Sequence, residues 1–382
     1  MLYKYLYIDD ENYDKIKPYA ESLSNDNLEV IPIQVGDFSE KEFILNELHN
    51  YDGVLMDLRT DMVEDENGKT SDFTGAVWGQ HIRDLVTIGK LKKDMPIILF
   101  SHEAKLKDVY FKDMTSNNIF DRFLTKNIFD NGDDEERINK IRGKLISLAK
   151  GYQTISTEKN FNKLLEIDTI NLDNRIFSRF IKSDESPNED IPTHEYAQMI
   201  LKDLIYAKGV LINEKYLASR LGVDKDNSED WERVKKRFAE AEYKGVFSDG
   251  WDRWWMFKVD EIFEEISDTY LSYLDAKERV NIFKEKLELE NLNYAEPIES
   301  KDGRIKNYSY RYWTVCKALK RPMDANEGFR VYTRQEPKPW QEYEYVSLQA
   351  LLDEVDAIKE KDIRVHSIDK EKYFLARSKI EG

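Results

Sequence analysis

Five short apolar runs, "YKYLYI" (3–8), "LEVIPI" (28–33), "YDGVLM" (51–56), "PIILF" (96–100) and "FDRFLT" (120–125), are separated by segments long enough for helices. Parallel strands need long crossovers, and strands buried on both faces read as continuous apolar runs, so this alternation predicts a parallel sheet with helices on both sides. The segments "ENYDKIKPYAESLS", "EKEFILNELHN" and "AVWGQHIRDLVTIGKL" supply helices, and "DEERINKIRGKLISLAKGY" supplies the last one. The expected first domain, residues 1–153, is a doubly wound α/β domain with a five-stranded parallel sheet.

In such sheets functional groups gather at the carboxyl ends of the strands. Asp9 and Asp10 follow the first run, Asp57 the third, Ser101 the fourth and Lys126 the fifth. Three close carboxylates repel one another unless a cation sits among them, and all-oxygen ligands suit Mg²⁺. Such an ion could neutralise a phosphoryl group arriving on Asp57, with Lys126 and the Ser101 hydroxyl holding its oxygens.

Over roughly residues 1–150 this constellation resembles the receiver domain of two-component response regulators. The matching pieces are "IDDE", "LMDL", "PIILFS" and "FDRFLTK". The resemblance implies a flavodoxin-like fold and a phosphoacceptor at Asp57. It further implies a metal site of Asp9, Asp10, Asp57 and the Arg59 backbone carbonyl, a switch hydroxyl at Ser101, a switch aromatic at Phe123 and a conserved-role lysine at Lys126. A histidine kinase or phosphotransfer protein is the implied partner.

Three departures from the family pattern bear on phosphotransfer. The segment "LRTDMVEDENGKTSDFTG" (58–75) is longer than the family's usual loop and carries Asp61, Glu64, Asp65, Glu66 and Asp72. His102 follows Ser101 where the family prefers a small residue, and Asn127 follows Lys126 where the family has proline. Within the long loop, "NGKT" (67–70) reads as a solvated turn and not as a phosphate-binding loop, because no glycine stands at Val63.

A single cysteine, Cys316, excludes a disulfide framework within one chain, and the five histidines lack metal-ligand spacing. The net charge of −17 argues against indiscriminate nucleic-acid binding, and no apolar run is long enough for a membrane span. A cytoplasmic protein is expected.

Beyond the first domain, residues 154–200 read as a helical connector with "SDESPNEDIP" as its linker, and 201–267 as a winged-helix-like domain. In the latter, "EKYLASRLGV" is a first helix and Glu229 to Lys244 a second. A hairpin is expected to turn at Asp249-Gly250. Arg233, Lys235, Lys236 and Arg237 are the candidate nucleic-acid contacts, but residues 214–244 hold eight basic and eight acidic side chains, so the local field is nearly neutral. Trp251, Trp254 and Trp255 read as packed aromatics more than as base-stacking ones. Residues 268–382 form an α+β region of unassigned type, in which "RYWTVCKALKRPM" reads as a helix ending at Pro322 and Cys316 as a packed thiol.

Together these features predict a mainly helical α+β region behind a receiver-like domain, and a signalling protein that accepts phosphate at Asp57 and acts by protein association. The alternatives are a phosphorylation-independent adaptor in a multi-component complex and a DNA-binding regulator. A homodimer is compatible with either output. No catalytic set beyond self-phosphorylation and dephosphorylation at Asp57 stands out.

Overall fold

The computed structural model describes residues 1–35, 46–64, 68, 71–102, 118–129 and 134–381. The chain divides into two compact units, the first comprising residues 1–202 with 244–251 and the second 203–243 with 252–382.

The first unit is built on a five-stranded sheet. Strands β1 (Tyr3–Asp9), β2 (Leu28–Gln34), β3 (Gly53–Met56), β4 (Ile97–Ser101) and β5 (Arg122–Thr125) lie in the order 2-1-3-4-5, all neighbours parallel. That order is the flavodoxin-like doubly wound arrangement found in receiver domains. The central strand β3, "GVLM", is buried at every position, as expected of a strand covered on both faces. Pro32 falls on β2, an edge strand, where a missing backbone donor is tolerated.

Helix α1 (Tyr13–Leu23) buries Ile16, Ala20 and Leu23, one stripe at helical spacing. Helix α2 (Gly75–Thr87) buries Trp78 and Ile82, which join Leu6, Ile8, Val54, Met56, Ile97, Leu99 and Phe120 in one core cluster. Helix α3 (Glu135–Thr157) starts on Asp134, whose side chain accepts the Arg137 amide, with Glu135 and Glu136 in its first turn. The expected helix over "EKEFILNELHN" falls largely on residues outside the described set, and so does all of "NGKT" except Gly68.

A buried charge network ties this unit together at the amino edge of the sheet. The Arg83 guanidinium donates to Asp94 Oδ1 at 3.0 Å and Asp121 Oδ2 at 2.7 Å, and Tyr152 donates to Asp121 Oδ1 at 2.8 Å. Arg83 also reaches the Met95 and Ile119 carbonyls. His194, in the short helix α4 (Thr193–Gln198), holds Asp94 Oδ2 through both its backbone amide and Nδ1. Burial opposes the Asp94 charge, yet the His194 hydrogen bond and Arg83 hold its carboxyl below the usual range.

In the second unit, β6 (Leu211–Ile212) pairs antiparallel with β7 (Trp254–Trp255), and Glu242 bridges Trp254. Helices α5 (Glu214–Leu221), α6 (Trp231–Arg237), α7 (Met256–Ser267) and α8 (Ala276–Lys286) surround a core that includes Leu217, Leu221, Trp231, Val234, Phe238, Val259, Phe263 and Phe283. A second cluster gathers Cys316, Met323, Phe329, Val331 and Val346.

Three expectations need correction. The second helix of the winged-helix-like segment is shorter than Glu229 to Lys244: α6 ends at Arg237, and a separate 3₁₀ turn covers Ala239–Ala241. No two-residue hairpin forms at Asp249-Gly250; Ser248–Gly250 is a 3₁₀ turn, and residues 244–251 belong to the first unit. The reason is burial: the Phe247 ring lies against Gly151 of α3, where a Cβ would stand 2.1 Å from it, and the Arg122 guanidinium lies over the Trp251 ring at 5.4 Å. Finally, the helix expected to end at Pro322 is absent. Thr314–Val315 and Pro322–Met323 pair as short antiparallel strands, with Lys320 in a left-handed turn between them. Cys316 is buried and free there, as a packed thiol.

Removing the Arg83 charge strands two buried carboxylates, a mechanism that typically costs several kcal/mol. Arg83→Met is therefore expected to lower unfolding stability by roughly 3–5 kcal/mol at neutral pH, read from urea denaturation; a loss under about 1 kcal/mol would contradict this account of the network.

Candidate functional site: an acidic pocket at the carboxyl edge of the sheet

The strands deliver their terminal residues to one pocket. Asp9 closes β1, Asp57 follows β3 and donates its amide to the Ile8 carbonyl, Ser101 closes β4, and Lys126 follows β5. Asp9, Asp10, Asp57, Ser101 and Lys126 are all buried. One carboxylate oxygen from each of Asp9, Asp10 and Asp57 lies within 4.8 Å of the others. The pocket thus combines three acids with one ammonium, a formal excess of negative charge.

Lys126 Nζ stands 2.6 Å from Asp9 Oδ2 and 2.8 Å from Asp57 Oδ1. Burial works against its charge, but the Asp57 and Asp9 carboxylates overcome this and hold the amine above the ordinary lysine range. Asp9 Oδ2 also accepts the Tyr7 hydroxyl at 2.5 Å. Burial first, and then the Asp9 charge, push that hydroxyl far above its ordinary range, so Tyr7 remains a donor. Asp57 Oδ2 accepts the Arg59 amide at 2.8 Å, and Asp9 Oδ1 accepts the Glu11 amide at 3.1 Å.

Asp10 is held by the start of the long acidic loop. Its Oδ2 accepts the backbone amides of Met62 and Val63 at 2.5 and 2.9 Å. Burial raises the Asp10 carboxyl above its usual range against those two amides, and the Asp9 and Asp57 charges add to the rise. The Arg59 side chain turns to Asp61, with Nε 2.8 Å from Oδ1, so its charge is engaged within the loop.

The Ser101 hydroxyl is buried and has no hydrogen-bond partner among the described residues. A buried hydroxyl left without a partner carries an uncompensated desolvation cost. Phe123 is half-buried against the core, its ring 6.4 Å from that of Phe120, and lies opposite Leu99 in the β4–β5 ladder. His102 is half-buried beside Ser101, and Asn127 sits in the turn that contains Lys126. Asp65 and Glu66 of the acidic loop lie outside the described residues.

Gly75, the first residue of α2, is required by close approach: a Cβ there would stand 1.9 Å from the Asp57 carbonyl oxygen. The sequence reading missed this glycine and Tyr7. Both were identifiable only as neighbours of Asp57 and Asp9, and proximity of that kind is carried by the fold.

The candidate nucleic-acid residues form no free basic face. Arg233 pairs with Asp230 at 3.1 Å, Lys235 with Glu232 at 2.7 Å and Arg237 with Glu265 at 3.3 Å, while Lys236 is exposed. Trp254 and Trp255 are buried in the second unit, and Trp251 is buried in the first.

No family model matches the chain, and no curated protein does. Solved structures similar to part of it include a response-regulator receiver domain (CheY-like) from Methylobacillus flagellatus, 18% identical, covering 37% of this chain and 99% of that one at a TM-score of 0.27. The phosphorylated cyanobacterial phytochrome response regulator RcpA is 18% identical, with 41% and 94% of the two chains covered and a TM-score of 0.24. A structure described as adenylate cyclase from Rhodopirellula baltica is 16% identical, covering 41% of this chain and 99% of that one at a TM-score of 0.28. The receiver-type fold of the first unit rests on its strand order and not on these superpositions.

Lys126→Met would leave Asp9 and Asp57 facing each other without their shared cation. Taking the cation out of a buried ion pair leaves its partners uncompensated, so the variant is expected to lose roughly 3–5 kcal/mol of unfolding stability at neutral pH. Urea denaturation beside the parent chain checks this; a loss under about 1 kcal/mol would contradict it.

Proposed function

We propose that Asp57 accepts a phosphoryl group in a Mg²⁺-dependent reaction, and that the resulting change is passed to the C-terminal region, whose output is association with a protein partner. The observation that carries this reading is the Ser101 hydroxyl, buried and without a partner among the described residues, at the same strand edge as the Asp57–Lys126 pair. A hydroxyl and an ammonium flanking a carboxylate are the groups needed to hold the oxygens of an acyl phosphate.

The residues fit the implied ion. Asp9, Asp10 and Asp57 offer hard oxygen ligands close together, and their net charge with Lys126 favours a divalent cation. Asp9 and Asp10 would hold it beside Asp57, and the Arg59 carbonyl is the further ligand implied by the receiver resemblance. When bound, the ion supplies charge neutralisation between the acids and the incoming phosphoryl oxygens. The chain's own steps are simple. An Asp57 carboxylate oxygen forms a bond to phosphorus, and the donor's bond to phosphorus breaks with its electron pair leaving on the donor. Lys126 then bridges to a phosphoryl oxygen in place of one carboxylate contact, and the Ser101 hydroxyl donates a hydrogen bond to another. Tyr7 keeps Asp9 oriented throughout, and Phe123 on the neighbouring strand is the aromatic that repacks.

A second reading has its own support. Asp57 is wholly buried, and the Met62 and Val63 amides clasp Asp10 from the long loop. A pocket closed in this way suits an adaptor that uses the fold without phosphorylation. DNA binding is not favoured, because acids of the same region neutralise three of the four candidate basic residues. A kinase or phosphotransfer donor and a cytoplasmic setting accompany the first reading; no helix among the described residues is long and apolar enough to cross a membrane.

Incubation of the full chain with acetyl phosphate and Mg²⁺, followed by phosphate-affinity electrophoresis, tests the proposal. A retarded band is expected for the parent chain, absent with EDTA and absent in Asp57→Asn. No Asp57-dependent incorporation would overturn phosphoryl acceptance and leave the adaptor reading. Ser101→Ala is expected to slow incorporation by about tenfold to a hundredfold, the scale of one lost charge-assisted hydrogen bond.

A further inference from the structure

A second cavity, of about 600 Å³, opens within the first unit. Its volume is in the range of sites for small organic molecules. Its lining includes Asp52, which immediately precedes β3, and Leu91 and Lys93, which precede β4. It therefore lies at the amino edge of the sheet, whereas Asp57 and Ser101 lie at the carboxyl edge. The other walls come from the C-terminal half of α3 and from Ile191, Pro192 and Thr193 of the connector.

The charges in this cavity are unevenly satisfied. Asp94 is taken up by Arg83 and His194, and Asp52 by Lys93, the Lys4 amide and Gln153. Glu189 and Asp190 are exposed at the rim. Lys159 differs: it is half-buried, and no carboxylate pairs with it at ion-pair distance among the described residues. Its ammonium instead lies 4.4 Å from the centre of the Tyr196 ring, and its hydrogen bonds among the described residues are long, 3.3 Å to the Ile191 carbonyl and 3.4 Å to Thr193 Oγ1. Burial lowers its amine below the ordinary lysine range, with Asp94 and Glu189 opposing that from a distance. A half-buried cation with neutral partners, in a cavity that Leu91 and Ala149 also line, is arranged to receive a negative group attached to an apolar body.

We propose that this cavity is a second ligand site, which takes a small organic anion, a carboxylate or phosphate on an apolar body, with Lys159 as its counter-ion. The site touches the connector through Ile191 and Thr193 and adjoins the Asp94–His194 contact. A bound anion would therefore bear on the connector from the sheet edge opposite the acidic pocket. The inference is independent of phosphoryl acceptance at Asp57.

Titration calorimetry on the full chain without Mg²⁺ tests it, with 1-naphthoate and 1-naphthyl phosphate as the anionic probes and 1-naphthol as their uncharged counterpart. Saturable binding of at least one anion is expected. Lys159→Met should weaken that binding by about tenfold or more while changing 1-naphthol by less than about twofold, and Lys159→Arg should restore most of it. Ser156→Trp, placed at an exposed lining position, should block anion and naphthol alike. Circular dichroism establishes that each variant is folded. Absence of binding by both anions to the parent chain, or anion affinities unchanged in both Lys159→Met and Ser156→Trp, would overturn the proposal.

Discussion

The buried ammonium of Lys126, shared between Asp9 and Asp57, is the contact on which the first unit's functional edge depends. It links the end of β5 to the ends of β1 and β3 across the whole sheet centre. Without it, the two buried carboxylates would face each other with no shared cation. With it, the edge still carries three acids against one ammonium. The same lysine also explains why the pocket is compact: each acid that it draws inward is fixed by a second donor, Tyr7 on Asp9 and the Arg59 amide on Asp57.

The acidic loop acts on this edge through its backbone. Five of its side chains are acids, yet among the described residues it is the Met62 and Val63 amides that reach Asp10. Amides that point at a carboxylate compensate part of its desolvation, as they do at a helix start. The loop amides and a cation at Asp10 are thus alternative ways of satisfying one carboxylate.

Much of the first unit was legible before any coordinates because its signals are periodic and local. Apolar runs of strand length at regular separation imply the sheet, and the polar residue after each run marks one edge. The charge network of Arg83, Asp94, Asp121 and His194 was not legible, since its members are spread over more than a hundred residues and only Asp121 falls within a quoted motif, where it carries no assigned role. The second unit was read less well for a related reason. Around Cys316 the apolar pattern fits a helix, but Lys320 turns the chain back and the pattern serves two short strands instead. At Asp249-Gly250 the local turn signal was sound, while the flanking aromatics Phe247 and Trp251 were claimed by partners distant in sequence, Gly151 and Arg122.

That last feature has a topological consequence. Because residues 244–251 belong to the first unit while the chain on either side belongs to the second, the polypeptide passes between the units at 202–203, 243–244 and 251–252. The two are interleaved, not strung in series. A single cleavage between them would leave a covalent tether in place, and a fragment ending near residue 200 would lack the piece that seats Phe247 on Gly151. The first unit is completed by chain that is synthesised only after part of the second unit has been made.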